Sequence, residues 1–564
     1  MKEKNPAPPR SQDSTSFSDA LGHDGRILYG LDALCPGLSV KAREDRYVAC
    51  EEESVKSIVR TAAIALLVAG TAVTATAWQQ GDPDRHGIDT APLEQMRQII
   101  DGLDLPIDSV VVVRHGKIVF EHFPDPSTGG ANRMHNLYSV TKSVTSILIG
   151  IAIEKGFIEG VDQRVVGFFP NRTIANLDER KERMTLEHLL TMTSGLEWQG
   201  PDDMFHSWGA GIRSGDPVQY ALDRPMAYEP GDVWYYNGGC SHLLSAILTK
   251  VTGMSTLAFA RQHLFIPLGI ISVRWPRDPH GIYYGGQDIW LTPYDMAKLG
   301  QLYLNGGVWD GEQIVPLDWI EASTQSIDFP WTGGYGYQWW LYPESGIYYA
   351  SGAFEQRIYV IPEYDMVVVF TASNWPSGIT AGERTEGPPI VDWLLARFVL
   401  PSCDAYSLAR YADFGFALEI PHLMNAWPQG WHGARLPSEA AGFVSLEFGG
   451  SPYEMAGVQW STPGRPGRLS LALAEFIAAL GAFGNEVEAT GPIVETAIAG
   501  REILQQSIDV TRAGTSLRAI VGAFACPGTG RTFVVYHGVE AKLSEWLDPS
   551  AAFEQLVGSF EFGE

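Results

Sequence analysis

Ser139-Val140-Thr141-Lys142 sets a hydroxyl three residues ahead of an amine, an S-x-x-K spacing found once in this chain. A hydroxyl is a poor nucleophile at neutral pH and needs a base. A lysine serves as that base when burial or a positive neighbour favours its neutral form. If the run 139–155 is helical, Ser139 and Lys142 lie one turn apart on one face. Free N–H groups and the positive dipole end at the helix start then favour an oxyanion beside the serine. The plain alternative is that Ser139 is only an N-cap and Lys142 only a solvated charge.

The elements that must position this pair are readable. Val140, Val144, Ile147, Leu148 and Ile151 keep helical spacing, and Gly156 ends the run. A short helix is expected over 92–102. Segments 110–113 and 117–120 flank His115-Gly116 and read as a hairpin. Segments 358–361 and 366–370 flank the turn sequence Pro362-Glu363-Tyr364-Asp365, and a helix over 390–399 precedes Pro401. Residues 160–310 are helix- and loop-rich. The spacing therefore predicts an α+β domain over 85–400, its antiparallel sheet completed by both ends of the segment and flanked by helices, with a helical subdomain inserted. Residues 411–564 read as a separate α+β domain, with strands near 414–420 and 532–536 and a helix over 469–481.

Composition narrows the function classes. The chain has 564 residues, of which 45% are hydrophobic and 19% charged, a normal globular balance. A net charge of −26 repels phosphate backbones, so nucleic acid is not an expected partner. Cys35, Cys50, Cys240, Cys403 and Cys526 show no metal-ligand spacing. No metal or cofactor is implied. Cys403 and Cys526 could pair in an oxidising compartment. Residues 61–78 carry no charge, follow Lys56 and Arg60, and contain Ala75-Thr76-Ala77. That order reads as a signal peptide over 55–77 with cleavage after Ala77, and hence a periplasmic or secreted protein. A single-span membrane anchor is the alternative. Residues 1–54 show no sustained periodicity and are expected to be a non-structural extension, with translation starting at Val55.

Further motifs follow Ser139 in order. Tyr235-Tyr236-Asn237 comes after Pro230-Gly231, and His188-Leu189-Leu190 runs to Ser194-Gly195-Leu196. Leu291-Thr292-Pro293 with Asp295-Met296-Ala297, and Gly306-Gly307-Val308-Trp309, complete the set. A second Y-x-N, Tyr303-Leu304-Asn305, reads as the end of a helix begun near Pro293. Over residues 90–400 this series resembles the serine β-lactamase and penicillin-binding-protein superfamily, class C type, in its esterase and aminohexanoate-dimer-hydrolase branch. The resemblance implies that Ser139 is the nucleophile and Lys142 its base. It also implies that Tyr235 relays protons beside Lys142 and that Asn237 orients substrate.

The third family element departs from its usual form. Ala350-Ser351-Gly352-Ala353 stands where K-T-G or H-T-G is usual. By that resemblance Ser351, Gly352 and Ala353 border the substrate: Gly352 keeps a close backbone approach, and the Ala353 N–H joins that of Ser139 as an oxyanion donor. The cation is missing, so nothing there would grip a substrate carboxylate. Phe354-Glu355-Gln356 replaces the more usual Gly-Gly-Gln, and Glu355 is expected near the mouth, disfavouring anions. Neutral or cationic esters or short amides are the expected small-molecule substrates. Trp198, Trp208, Trp234, Trp339 and Trp340 flank the motifs and could line an apolar pocket.

Three functions compete: a serine hydrolase working through an acyl-enzyme, a peptidoglycan D,D-peptidase or β-lactamase on the same site, and a catalytically silent binding protein. H-E-x-x-H and G-x-S-x-G are absent. In the C-terminal region, 414–421 with the closing 553–562 resembles PsbP-like α/β sandwiches. Its role, whether binding an unknown protein partner, covering the cleft or stabilising the enzyme, stays open at this level.

Overall fold

The computed structural model describes residues 78–562, apart from 199–203, 328–333, 373–389, 405–408, 414–415, 421–424, 430–436, 438–440, 448–453, 462–468, 483–484, 513–514 and 527–530. The expected extension (1–54), the expected signal segment (55–77), Cys35, Cys50 and the Trp208 side chain lie outside the described residues. Among the described residues no single helix is long and apolar enough to cross a membrane.

The central sheet is built from β1 (Ser109–Arg114), β2 (Lys117–His122), β7 (Trp340–Tyr342), β8 (Ile347–Gly352), β9 (Gln356–Ile361) and β10 (Met366–Thr371). Two short ladders lie between β2 and β7 in the chain: β3 (His135–Asn136) with β4 (Trp290–Leu291), and β5 (Val308–Trp309) with β6 (Glu312–Gln313). The sheet order is β2-β1-β10-β9-β8-β7, antiparallel throughout. The early hairpin thus joins the late strands, as the sequence predicts.

Strand residues alternate between two cores because successive side chains leave opposite faces. Val111, Val113, Ile358, Val360, Val367 and Val369 enter one core. Val110, Val112, Tyr359, Ile361, Met366, Val368 and Phe370 enter the other. Both faces are covered, which is why Val110 to Val113 form an unbroken apolar run.

The first core holds the helical region. Its helices, in chain order after α1 (Thr90–Gly102), are α2 (Val140–Glu154), α3 (Glu179–Arg183), α4 (Leu186–Leu190), α5 (Met204–Arg213), α6 (Pro217–Asp223), α7 (Gly238–Thr252), α8 (Thr256–Ala260), α9 (Pro293–Leu304) and α10 (Leu317–Ser323). Two of the sequence motifs turn out to be helix starts. Thr292 caps α9, accepting from the Asp295 N–H at 3.2 Å, and Thr185 and His188 form a capping box on α4.

The second core continues past residue 400. α1 and α11 (Ile390–Leu394) line it from the side of the central sheet. Phe416, Val444, Leu446, Trp460, Phe533, Phe553 and Phe560 belong to the same cluster. These come from β12 (Phe416–Ile420), β14 (Ala441–Glu447), β15 (Glu454–Ser461), β20 (Thr532–Glu540), α13 (Pro549–Gly558) and the residues after it. The remaining strands are β11 (Ala409–Asp413), β13 (Asn425–Gln429), β16 (Glu486–Ala489), β17 (Val494–Ile498), β18 (Arg501–Arg512), β19 (Thr515–Ala525) and β21 (Glu561–Phe562). A large sheet runs β13-β14-β15-β20-β19-β18-β16, and β11-β12-β21 form a smaller one. The chain's closing strand therefore pairs with β12 (Phe416 opposite Phe562). α12 (Leu469–Ala482) covers the far face of the large sheet through Leu473 and Phe476. The C-terminal region has its own sheets, yet its apolar core is continuous with that of the N-terminal α+β region. Cys403 and Cys526 are both buried and are not joined to one another, so the pairing envisaged from sequence is not formed.

Candidate active site

Ser139 opens α2, but its side chain makes no capping bond. Its Oγ instead accepts a hydrogen bond from Lys142 Nζ at 3.1 Å. Lys142 is only 5% exposed, so it is not a solvated surface charge. Its ammonium also donates to the Gly286 carbonyl at 2.7 Å. The plain N-cap alternative is therefore not what this chain adopts. Tyr138, just before the serine, holds a left-handed φ of 44°, a strained conformation of the kind found at functional sites.

The Gly286 carbonyl is delivered by a loop stapled to the two central helices. Thr145 Oγ1 on α2 donates to Gly285 O, and Ser245 Oγ on α7 donates to Tyr283 O, each at 2.7 Å. His242 on α7 meets Asp278 at 3.1 Å with both side chains buried. Burial opposes the Asp278 charge, yet His242 and the N–H groups of Ile282 and His280 hold its carboxyl below the usual carboxylate range. Glycine is required at 285 because a Cβ there would stand 2.1 Å from Ser241 O. Sequence reasoning missed Gly285-Gly286; a glycine pair shortly before Leu291-Thr292-Pro293 was the available signal.

The second motif offers two phenols just before α7. Tyr235, the phenol that the Y-x-N spacing singles out, is anchored by its N–H to Met192 O at 2.8 Å. Tyr236 lays its ring face against the Lys142 ammonium, with its centroid 4.7 Å from Nζ. Trp234 and Tyr236 make ring contact at 6.2 Å.

Asn237 caps α7, its Oδ1 accepting from the N–H groups of Gly239 at 2.7 Å and Cys240 at 3.3 Å. That fixes the amide and leaves Nδ2 buried without a hydrogen-bond partner among the described residues. Cys240 is no rival nucleophile, since burial pushes its thiol up to about 12.

Ser351 and Gly352 end β8, and Ala353, Phe354 and Glu355 turn into β9. A Cβ on Gly352 would stand 2.2 Å from Leu137 O, so this strand end abuts the backbone that leads into Ser139. Gly352→Ala is expected to force the two apart and cost about 1–3 kcal/mol of stability, read by thermal unfolding. Phe354 and Glu355 take left-handed φ values of 57° and 63°, the conformation that glycines would adopt without strain. The turn is held by Gln356 Nε2, which donates to Phe354 O and Ala372 O, and by contact of the Phe354 and Tyr138 rings at 5.1 Å.

Glu355 does not present a carboxylate at the mouth. It is 4% exposed, and its charge faces Arg357. Ala350 is fully buried and brings no cation. Of the flanking tryptophans, Trp198 and Trp339 are core residues. Trp234 and Trp340 are only partly buried and form an aromatic wall with Tyr236, backed by the buried Tyr335, with ring contacts of 4.9–6.2 Å.

The Beta-lactamase family model matches residues 95–385, which is just over half of the chain. The chain belongs to the Beta-lactamase family. It is 25% identical over 295 residues to 6-aminohexanoate-dimer hydrolase of Paenarthrobacter ureafaciens, covering 48% of this chain and 73% of that protein. It is 29% identical over 150 residues to a penicillin-binding protein of Bacillus subtilis, covering 25% of this chain and 31% of that one. Among solved structures, simvastatin synthase of Aspergillus terreus aligns with a TM-score of 0.41 and 16% identity, over 52% of this chain and 94% of its own. The family match takes in Ser139, Lys142, Tyr236, Asn237 and the β8–β9 turn, and stops short of α11 and the C-terminal sheets.

Proposed function

We propose that the protein is a serine hydrolase that cleaves a neutral or cationic ester or short amide through an acyl-enzyme on Ser139. The observation that carries this is the fate of the Ser139 hydroxyl, which is left uncapped at a helix start and held at 3.1 Å by a buried lysine. With Lys142 as its neutral amine, that contact aims the amine lone pair at the serine proton. As Oγ bonds to the carbonyl carbon, the proton passes to Nζ. The N–H groups of Ser139 and Ala353 receive the oxyanion. Collapse expels the alcohol or amine, which takes a proton from Lys142 by way of the Tyr235 hydroxyl. Water then attacks the acyl group with its proton taken by the same pair, and Ser139 is restored. Asn237 Nδ2 donates to the substrate, and the aromatic wall packs against its apolar part.

Neutral or cationic substrates are favoured because Ala350 supplies no cation and because Arg357 turns its donors inward to backbone carbonyls. The aminohexanoate-dimer hydrolase, an amide-cleaving relative by its name, supports a short amide as substrate.

The test is a panel of chromogenic esters, short amides and cephalosporins, with mass spectrometry of the trapped acyl-enzyme. Ester or amide turnover with acyl mass on the Ser139 peptide, lost in Ser139→Ala, is the expected result. Cephalosporin turnover above ester turnover would move the protein to the β-lactamase reading. Equal ester turnover by both proteins would remove Ser139 from the mechanism.

A further inference from the structure

Arg357 is buried at 6% exposure on β9, one strand away from the cleft edge. Its Nη1 donates to Gly352 O at 2.9 Å and to Gln356 O at 3.0 Å. The Gly352 carbonyl and the Ala353 N–H belong to one planar trans peptide and point in opposite directions. A guanidinium that grips the carbonyl from behind therefore aims the N–H forward. Its charge also polarises the peptide, which strengthens that N–H as a donor.

The guanidinium is itself held in place. Asp392 on α11 accepts from the Tyr359 hydroxyl, two residues along β9 from Arg357. Asp392, Glu355, Tyr359 and Tyr349 surround the Arg357 charge. The neighbour of Asp392, Trp393, donates Nε1 to Glu454 at 3.1 Å, and Arg397 of the following turn lies 3.5 Å from the same carboxylate. Glu454 stands on β15 of the C-terminal region, 2% exposed, and is also bonded to His537 at 2.9 Å.

We propose that Arg357 is a positioning residue for the oxyanion site, setting the plane of the Gly352–Ala353 peptide from behind, and that Glu454 of the C-terminal region steadies it through α11. The cation missing from the third motif is thus supplied on the hidden side of the strand, where it serves the transition state rather than a substrate carboxylate. This assigns the C-terminal region a role in catalysis. It rests on the acyl-enzyme reading above.

The test uses the full chain and the best ester of the panel. Arg357→Lys keeps the charge but loses the planar fork. Removing an oxyanion donor outright costs about 10²–10³ in kcat, so misaiming one should cost about tenfold or more with KM within about twofold. Affinity for a phosphonate or boronic-acid transition-state mimic should fall in parallel. Glu454→Gln, which leaves Arg357 untouched, should show the same kcat-only pattern at smaller size. It should also be less than additive with Arg357→Lys. Val444→Ala, in the shared apolar core, controls for loosened packing: its melting temperature should fall with kcat unchanged. Folded Arg357→Lys and Glu454→Gln proteins with wild-type kcat would overturn the proposal. So would a kcat loss in Val444→Ala equal to theirs. Ester turnover that survives Ser139→Ala would instead sink the acyl-enzyme reading, so the two failures are distinguishable.

Discussion

Tyr235→Phe is expected to lower kcat by about 10²–10⁴-fold, whereas Tyr236→Phe should lower it by less than about tenfold. Phenylalanine at 236 keeps the ring beside the Lys142 ammonium and keeps contact with Trp234 and Trp340. Substrate packing and the cation–ring attraction therefore survive in that variant, whereas the change at 235 removes the hydroxyl proposed as the proton carrier. KM should stay within a few-fold of wild type in both. Steady-state kinetics on one chromogenic ester decide it. The reverse order of effects would move the relay to Tyr236.

The second large effect is on folding. A chain ending at residue 410 is expected to yield no soluble, active protein. The apolar cluster that includes Val110, Val112, Tyr359 and Phe370 also includes Val444, Leu446, Trp460, Phe533 and Phe553. Removing the latter exposes a contiguous apolar surface of the kind that drives aggregation. It also strips away Glu454, the carboxylate that Trp393 bonds and Arg397 faces. Glu454 is well matched to its site: burial opposes its charge, but Arg397 and His537 bring its carboxyl down to about 2. Inclusion bodies, or a soluble fraction that binds a hydrophobic dye and lacks a cooperative melt, are the expected results. A soluble monomer with full turnover would make the C-terminal region dispensable.

The sheet was legible because its strands announce themselves. Val110 to Val113 and Met366 to Phe370 are apolar, β-branched runs beside strong turn signals, and both faces of the sheet are buried. The Ser139–Lys142 pair was legible because helix geometry converts a three-residue spacing into a contact. The ring of Tyr236 against the Lys142 ammonium was not, because the Y-x-N spacing singles out Tyr235 and packing of its neighbour exists only in three dimensions. Glu355 misled for a different reason. A carboxylate in a turn reads as exposed, and only the strand pairing reveals Arg357 beneath it. Arg357 itself carried no signal, since its role comes from a carbonyl on the neighbouring strand. The joined cores were hidden because a change of texture after residue 410 looks like a boundary, while continuity of packing exists only in three dimensions.

The loop that presents Gly286 O to Lys142 also limits how this scaffold can change. At Gly285 there is no room for a side chain against α7, Gly286 fits tightly beside Lys142, and the flanking carbonyls are already committed to Lys142, Thr145 and Ser245. Mutational drift in that loop displaces Lys142 before it alters anything else. Trp234 and Trp340, only partly buried and in ring contact at 5.9 Å, are freer, and one ring there can be exchanged for another of different size while the lysine stays put. Diversification of this scaffold is therefore expected to be lopsided, with the glycine loop frozen and the partly exposed rings open to remodelling.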